Sequence, residues 1–167
     1  MKEEENCYKP VFNHNHRQAF QDYINALGIK NLDYFAIGFQ DTIHQKSFSL
    51  MSNVDWQKTF KAQEFAPYDP IRKAAFGSSR RFFTFDQINC CDNLGKEIMR
   101  QRKKHGISQG LVIMDRHLGH NYMLTLATDY TRFDAFDFYM RHTESLMLIL
   151  DDLKKIIQPE VKNYIIT

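Results

Sequence analysis

Four short runs of aromatic and β-branched residues, falling in two pairs around tight turns, constrain this chain more than any other feature. Tyr34-Phe-Ala-Ile-Gly-Phe39 reads as a strand, and Asp41-Thr42 turns it toward a second strand around Lys46 to Met51. Gly110 to Met114 and Asn121 to Thr128 repeat the arrangement about a turn at Leu118-Gly119-His120. Strands joined by hairpins pair antiparallel, and such a sheet needs other elements to cover its apolar faces. Arg81-Phe-Phe-Thr-Phe85 adds a fifth strand-like run.

Helical segments separate these runs. From Asn13, the residues Ala19, Phe20, Tyr23, Ile24 and Leu27 share one helical face, and Gly28 supplies a stop. Asn53 or Asp55 can cap a helix from Asp55 to Gln63. After a break at Ala66-Pro67, Asp69-Pro70 gives a second start, with Asp at the cap and Pro in the first turn. Residues 92 to 105 form a charged amphipathic helix that begins at Asp92 and is stopped by Gly106. The last helix runs from Arg132 to Ile157 and is ended by Pro159. The order of elements gives an α+β chain: a largely antiparallel sheet with helices on its faces. No internal repeat or low-complexity linker divides it, so one domain is expected after a flexible tail over residues 1–12.

Composition then removes function classes. The 22 basic and 20 acidic residues leave a formal charge of +2, which gives no global field for nucleic acid. No apolar run reaches the ~20 residues of a membrane span, and the polar start MKEEENCYKP is unlike a secretory signal. Three cysteines, two of them adjacent at Cys90 and Cys91, make a poor disulfide framework and suit a reducing cytoplasm, with buried thiols. The 14 Phe and 8 Tyr, against one Trp, are enough rings to build a thick core or to line a pocket.

Catalytic and metal motifs are missing. The sequence contains no G-x-S-x-G, H-E-x-x-H, Walker loop or G-x-G-x-x-G, and Cys90-Cys91 is not a C-x-x-C pair. His14-Asn-His16 and His117-Leu-Gly-His120 lack a Cys or carboxylate at a metal-binding spacing and read as solvated. Asp151-Asp152 and Asp134 with Asp137 read as the solvated face of the last helix. The basic run Arg100-Gln-Arg-Lys-Lys104-His105 reads as a solvated helix end whose cations complement the dipole. The expectation is a protein that is not an enzyme and carries no cofactor or metal.

One stretch carries more specific information. Trp56-Gln-Lys-Thr-Phe-Lys-Ala-Gln-Glu-Phe-Ala-Pro-Tyr-Asp69-Pro70 places Trp thirteen residues ahead of Asp-Pro. This resembles the autoinducer-binding domain of LuxR-type quorum-sensing transcriptional regulators. The likeness continues through Phe82-Phe-Thr-Phe85, Gly106-Ile-Ser-Gln-Gly110, and Gly119 followed by Met123-Leu-Thr125-Leu-Ala-Thr128, covering about residues 12 to 157. It implies an α-β-α sandwich around a five-stranded antiparallel sheet over residues 13–167. It also implies an N-acyl-homoserine lactone, or a similar amphiphile, enclosed between the sheet and one helical layer. On this resemblance the Trp56 indole N–H donates to the lactone carbonyl, Asp69 accepts from the ligand amide N–H, and Thr125 offers a strand hydroxyl. Phe60 and Phe85 take positions where the family has Tyr and Trp, the family's donor Tyr falls at Ser52, or at Val54 if one residue is deleted, and Gly38 joins the ligand-lining set.

The departures weaken the polar recognition of a lactone amide and leave more of the affinity to acyl-chain burial. The Pro usual in the fourth strand is also replaced, near Met114. Family members continue into a helix-turn-helix domain, whereas this sequence stops at Asn163-Tyr-Ile-Ile-Thr167, as either an excised domain or a stand-alone sensor. Two readings follow. One is a cytoplasmic sensor domain acting in transcription regulation, without specific DNA binding of its own and without membrane association. The other is a ligand-free interaction protein that pairs with and inhibits a full-length regulator. Phe133, Phe136, Tyr139, Met140, Leu146, Leu148 and Ile149 give the last helix more apolar surface than one sheet face covers, so a homodimer or a heterodimer with a related regulator is expected.

Overall fold

Alternation along the hairpins sends successive side chains to opposite faces and so divides the apolar residues into two cores. In the computed structural model, which describes residues 14–90 and 92–166, five strands form one antiparallel sheet. They are β1 (Tyr34–Asp41), β2 (Lys46–Met51), β3 (Phe82–Thr84), β4 (Gln109–His117) and β5 (His120–Thr128). Their spatial order is β2-β1-β5-β4-β3, so the two hairpins meet where β1 pairs with β5. The expected tail over residues 1–12 and Cys91 lie outside the described residues.

One face of the sheet is covered by α1 (His14–Leu27) and α5 (Ala135–Ile166). There Phe20 and Ile24 of α1 and Leu146, Leu150, Leu153 and Ile157 of α5 pack on Phe35, Ile37, Phe39, Leu111, Leu124 and Leu126. The other face is covered by α2 (Val54–Ala62), α3 (Pro70–Phe76) and α4 (Asn93–Lys104). Trp56, Phe60, Ile71, Ala75 and Ile98 pack there on Tyr34, Ala36, Val112, Met114, Met123 and Ala127. The result is the α-β-α sandwich that the resemblance implied.

Three boundaries differ from the sequence expectation, each for a local reason. The β4–β5 turn is the pair Leu118 and Gly119, with φ of 49° and 85°, and His120 already pairs with His117 in the ladder. Two positive φ values in succession match the twist of a tight hairpin and let the strands run to its tip. Strand β3 ends at Thr84, because the Gln87 carboxamide accepts from the Thr84 N–H at 3.1 Å and draws Phe85–Gln87 into a 3₁₀ turn. Helix α5 begins at Ala135 rather than Arg132, with the Asp134 carboxylate accepting from the Asp137 N–H at 2.9 Å. Asp134 is thus a helix cap, and it is solvent-exposed as expected.

The far end of α5 departs more. The helix bends at His142 (φ −125°, ψ 22°) and continues through Pro159 to Ile166. A proline there removes one ladder N–H and crowds the carbonyl four residues back, but its fixed φ is helical and the helix absorbs that cost rather than ending.

Candidate functional site

The site is built on the face covered by α2, α3 and α4. Asn53 caps α2: its carboxamide oxygen accepts from the Trp56 N–H at 2.9 Å, and its amide donates to the His105 carbonyl at 3.2 Å. Gln57 fastens the next turn to β2, donating to the Ser49 carbonyl at 3.0 Å and accepting from the Met51 N–H at 3.1 Å. With both ends held, Trp56 is fully buried, its ring 5.7 Å from Phe60, 6.2 Å from Phe65 and 5.2 Å from His105. Its indole Nε1 is, among the described residues, the buried side-chain polar atom that has no hydrogen-bond partner. An unsatisfied buried donor costs about 1–3 kcal/mol.

Asp69 sits where a 3₁₀ turn (Ala66–Tyr68) hands the chain to α3. Its Oδ1 caps α3 by accepting from the Ile71 N–H at 3.1 Å, as the Asp-Pro spacing predicts. It also does something that the spacing does not show. Arg102 of α4 donates from Nη1 to Oδ1 at 2.5 Å and from Nη2 to Oδ2 at 2.7 Å, a bidentate pair in which both side chains are buried. The guanidinium lies 5.3 Å from the centre of the Trp56 ring and 5.8 Å from that of Phe60, so two aromatic faces support its charge.

This corrects the reading of Arg100–His105 as a solvated helix end. Arg100 does pair with Glu97 at the surface, but Arg102 is 4% exposed. The signal was present in the periodicity: Gly95, Ile98 and Arg102 lie at i, i+3 and i+7 and form the buried stripe of α4. Burial opposes the Arg102 charge, yet the Asp69 carboxylate more than offsets it and raises the Arg102 pKa above its ordinary value.

Tyr34 is the second residue that sequence reasoning passed over. It lies on β1, faces this same core, and is 4% exposed. Burial pushes its phenol well above the ordinary value; Arg102 pulls the other way, and Asp69 adds to the rise. Tyr34 thus adds a buried phenol to the core that holds Trp56.

The remaining expected residues divide clearly. Phe60 and Phe85 belong to the core around Trp56. Thr125 of β5 is buried, pairs in register with Ala36 and Val112, and lies on the same sheet face, as does Gly38 of β1. Ser52 does not join them: its hydroxyl accepts from the Phe35 N–H at 2.9 Å, and it lines a surface groove with Gln21, Ile24 and Asn25 of α1. Cys90 is half-buried rather than buried. Among the described residues, no three His, Cys, Asp or Glu side chains converge as metal ligands.

Residues 14–153 match the profile of the autoinducer binding domain. The chain belongs to the autoinducer-binding domain family. No curated protein sequence matches it. Solved structures share the fold of this autoinducer-binding domain. One is the N-acylhomoserine lactone dependent LuxR-family transcription factor CepR2 from Burkholderia cenocepacia, 17% identical, covering 88% of this chain and 87% of that one, with a TM-score of 0.65. Another is SdiA in complex with octanoyl-rac-glycerol, 11% identical, with a TM-score of 0.59, covering 87% of this chain and 59% of that one. SdiA of Escherichia coli in a separate crystal form is 12% identical, covers 89% of this chain and 60% of that one, and gives a TM-score of 0.58. The present sequence thus spans less than two thirds of those SdiA chains. At these identities the likeness establishes the fold. Among the described residues, no helix is long and apolar enough to cross a membrane.

Proposed function

We propose that this domain is a sensor that encloses an acyl amphiphile between the sheet and the α2–α4 layer, with Trp56 as its central donor. The observation that carries the reading is the buried Trp56 indole N–H without a partner, set among Phe60, Phe65 and His105 and beside the Asp69–Arg102 pair. A donor kept unsatisfied in a core is a cost to the fold, and a ligand oxygen removes that cost on binding. Tyr34, Phe85, Thr125 and Gly38 supply the surrounding wall, and the apolar lining suits an acyl chain, each buried CH₂ contributing about 0.8 kcal/mol. The fold relatives, one described as N-acylhomoserine lactone dependent and one solved with octanoyl-rac-glycerol, support an acyl ligand. Within this reading the protein works in the cytoplasm, in quorum sensing and transcription regulation, and acts through protein contacts rather than by binding specific DNA.

The test uses the chain's one tryptophan. Titration with acyl-homoserine lactones of increasing chain length should change Trp56 fluorescence and give affinities that rise with length. No change with any chain length, together with no co-purifying amphiphile in an organic extract, would refute the sensor.

A second reading has its own observation. Phe136, Met140 and Leu148 of α5 are 57%, 61% and 65% exposed. This apolar strip favours pairing with a second copy or a related regulator, by which an interaction protein would inhibit its partner.

A further inference from the structure

Two side chains in the hairpin turns break the rules that shape the rest of the fold. At the β4–β5 turn Leu118 has a φ of 49° and is 82% exposed. A two-residue turn of this kind favours Asn-Gly, because a Cβ strains a positive φ, and an exposed Leu gains no burial in return. At the neighbouring β1–β2 turn Ile43 is 69% exposed. These are the two most exposed large apolar side chains among the described residues. The turns are joined: Thr42 donates to the Gly119 carbonyl from its N–H at 2.9 Å and from its hydroxyl at 3.1 Å. Ile43 lies so close over Gly119 that a Cβ there would meet its Cγ1 at 3.2 Å and its Cδ1 at 3.3 Å. Ile43 and Leu118 thus share one convex apolar apex at the end of the sheet.

The charge around that apex is basic. Register sets Lys46 beside Asp41 and His117 beside His120 at the same end of the sheet. Arg116, just ahead of Leu118, donates to the carbonyls of Ala75, Ser78 and Arg80 at 2.5, 2.7 and 2.6 Å, which brings the exposed Arg80 and Arg81 to this end. The acids that these contacts bring here are engaged within the chain. Asp41 is fully buried, accepting from the Ile43 and His44 N–H groups and lying 2.6 Å from His44 Nδ1. Asp115 pairs with Lys154. The near-neutral composition hid this collar, because the topology gathers residues distant in sequence.

We propose that the joined hairpin tips are a reversible docking point for an anionic lipid surface, with Ile43 and Leu118 entering the headgroup layer and Lys46, Arg80 and Arg81 facing the lipid charge. A protein partner would have to offer a pocket shaped to the convex apex. A headgroup layer deforms around one, and its negative potential attracts the basic collar. The contact is peripheral, since no described helix is long and apolar enough to cross a membrane. It departs from the expectation, drawn from composition, of no membrane association.

The test is sedimentation of the full chain with vesicles of phosphatidylcholine alone and of phosphatidylcholine with one-third phosphatidylglycerol. Binding to the anionic vesicles should be about tenfold tighter or more, and should fall steeply as salt is added. Ile43→Ser with Leu118→Asn should lose about tenfold in binding while its thermal midpoint holds or rises, because Asn accepts the φ that strains Leu. That opposite movement separates docking from folding. Arg80→Ala with Arg81→Ala should also lose about tenfold or more on anionic vesicles. Phe136→Glu with Met140→Glu, on α5, should bind as the wild type does. Equal binding to the two vesicle types, or a loss in the α5 variant with none in the tip variant, overturns the proposal. Anionic vesicles left unbound by the wild type overturn it too, and assign the apex to a protein partner instead.

Discussion

Asp69 and Arg102 lie 33 residues apart and form a bidentate, buried ion pair that joins the N-terminus of α3 to the C-terminal turn of α4. The pair holds together the two helices that roof the candidate site. Breaking it from one side leaves an uncompensated buried charge. Asp69→Asn, which keeps a helix-capping side chain, and Arg102→Met should each lower unfolding free energy by about 3–5 kcal/mol. The double variant should recover much of that loss. Urea unfolding of the four proteins as a double-mutant cycle measures the coupling.

Trp56→Phe keeps a ring in the cage and removes the indole N–H. It should weaken acyl-ligand binding about threefold to tenfold, as expected for one hydrogen bond. Phe60→Ala, which opens a cavity beside the same ring, should cost about 3–5 kcal/mol of stability. Calorimetry and urea unfolding on both variants separate the recognition role from the packing role.

Gly110 is required by close approach. A Cβ there would lie 2.5 Å from the Leu126 carbonyl oxygen, 2.8 Å from Phe85 Cζ and 2.9 Å from Ala127 Cβ. Two of those contacts are to the sheet itself, where little can move, so Gly110→Ala should destabilise by about 1–3 kcal/mol. Urea unfolding of Gly110→Ala against wild type measures it.

Alkali should unfold the protein through Tyr34, which is buried, and Tyr23, which is partly buried. Tyr34 and Tyr23 both have raised pKa values, chiefly through burial, and Tyr23 also donates to Asp152 at 2.7 Å. Because the unfolded chain ionises these phenols near their ordinary value of 10.0 and the folded chain does not, their contribution is complete below that pH and is lost as pH rises above it. Tyr34→Phe should reduce the slope of stability against pH above 10. Absorbance at alkaline pH, followed alongside circular dichroism, should show these phenols ionising together with unfolding.

The exposed strip of Phe136, Met140 and Leu148 predicts association through α5. Light scattering at high micromolar concentration should give a dimer, and Phe136→Glu with Met140→Glu should give a monomer that keeps the circular dichroism spectrum of the folded chain, with a thermal midpoint lowered by the lost association.

Local sequence determined most of the scaffold. The hairpin strands Tyr34–Asp41 and Lys46–Met51 were legible because alternation and turn residues act over a few positions. Asp92 and Asp69 were legible as helix caps for the same reason: the hydrogen bonds they accept come from residues two or three positions ahead. The thirteen-residue spacing from Trp56 to Asp69 brings both side chains against Arg102, on the sheet face covered by α2, α3 and α4. Tertiary structure decided what those groups do. Arg102 looked like one cation in a basic run until α4 packed its Gly95–Ile98–Arg102 stripe inward, and a charge so placed has to find a counter-ion. Tyr34 looked like one aromatic residue at a strand start until the sheet buried it in the core that holds Trp56. Ser52 looked like a candidate ligand contact until its hydroxyl met the Phe35 N–H. Caps and alternation are set by neighbours along the chain, whereas the desolvation of a charge and the choice of its partner are set by what the fold brings beside it.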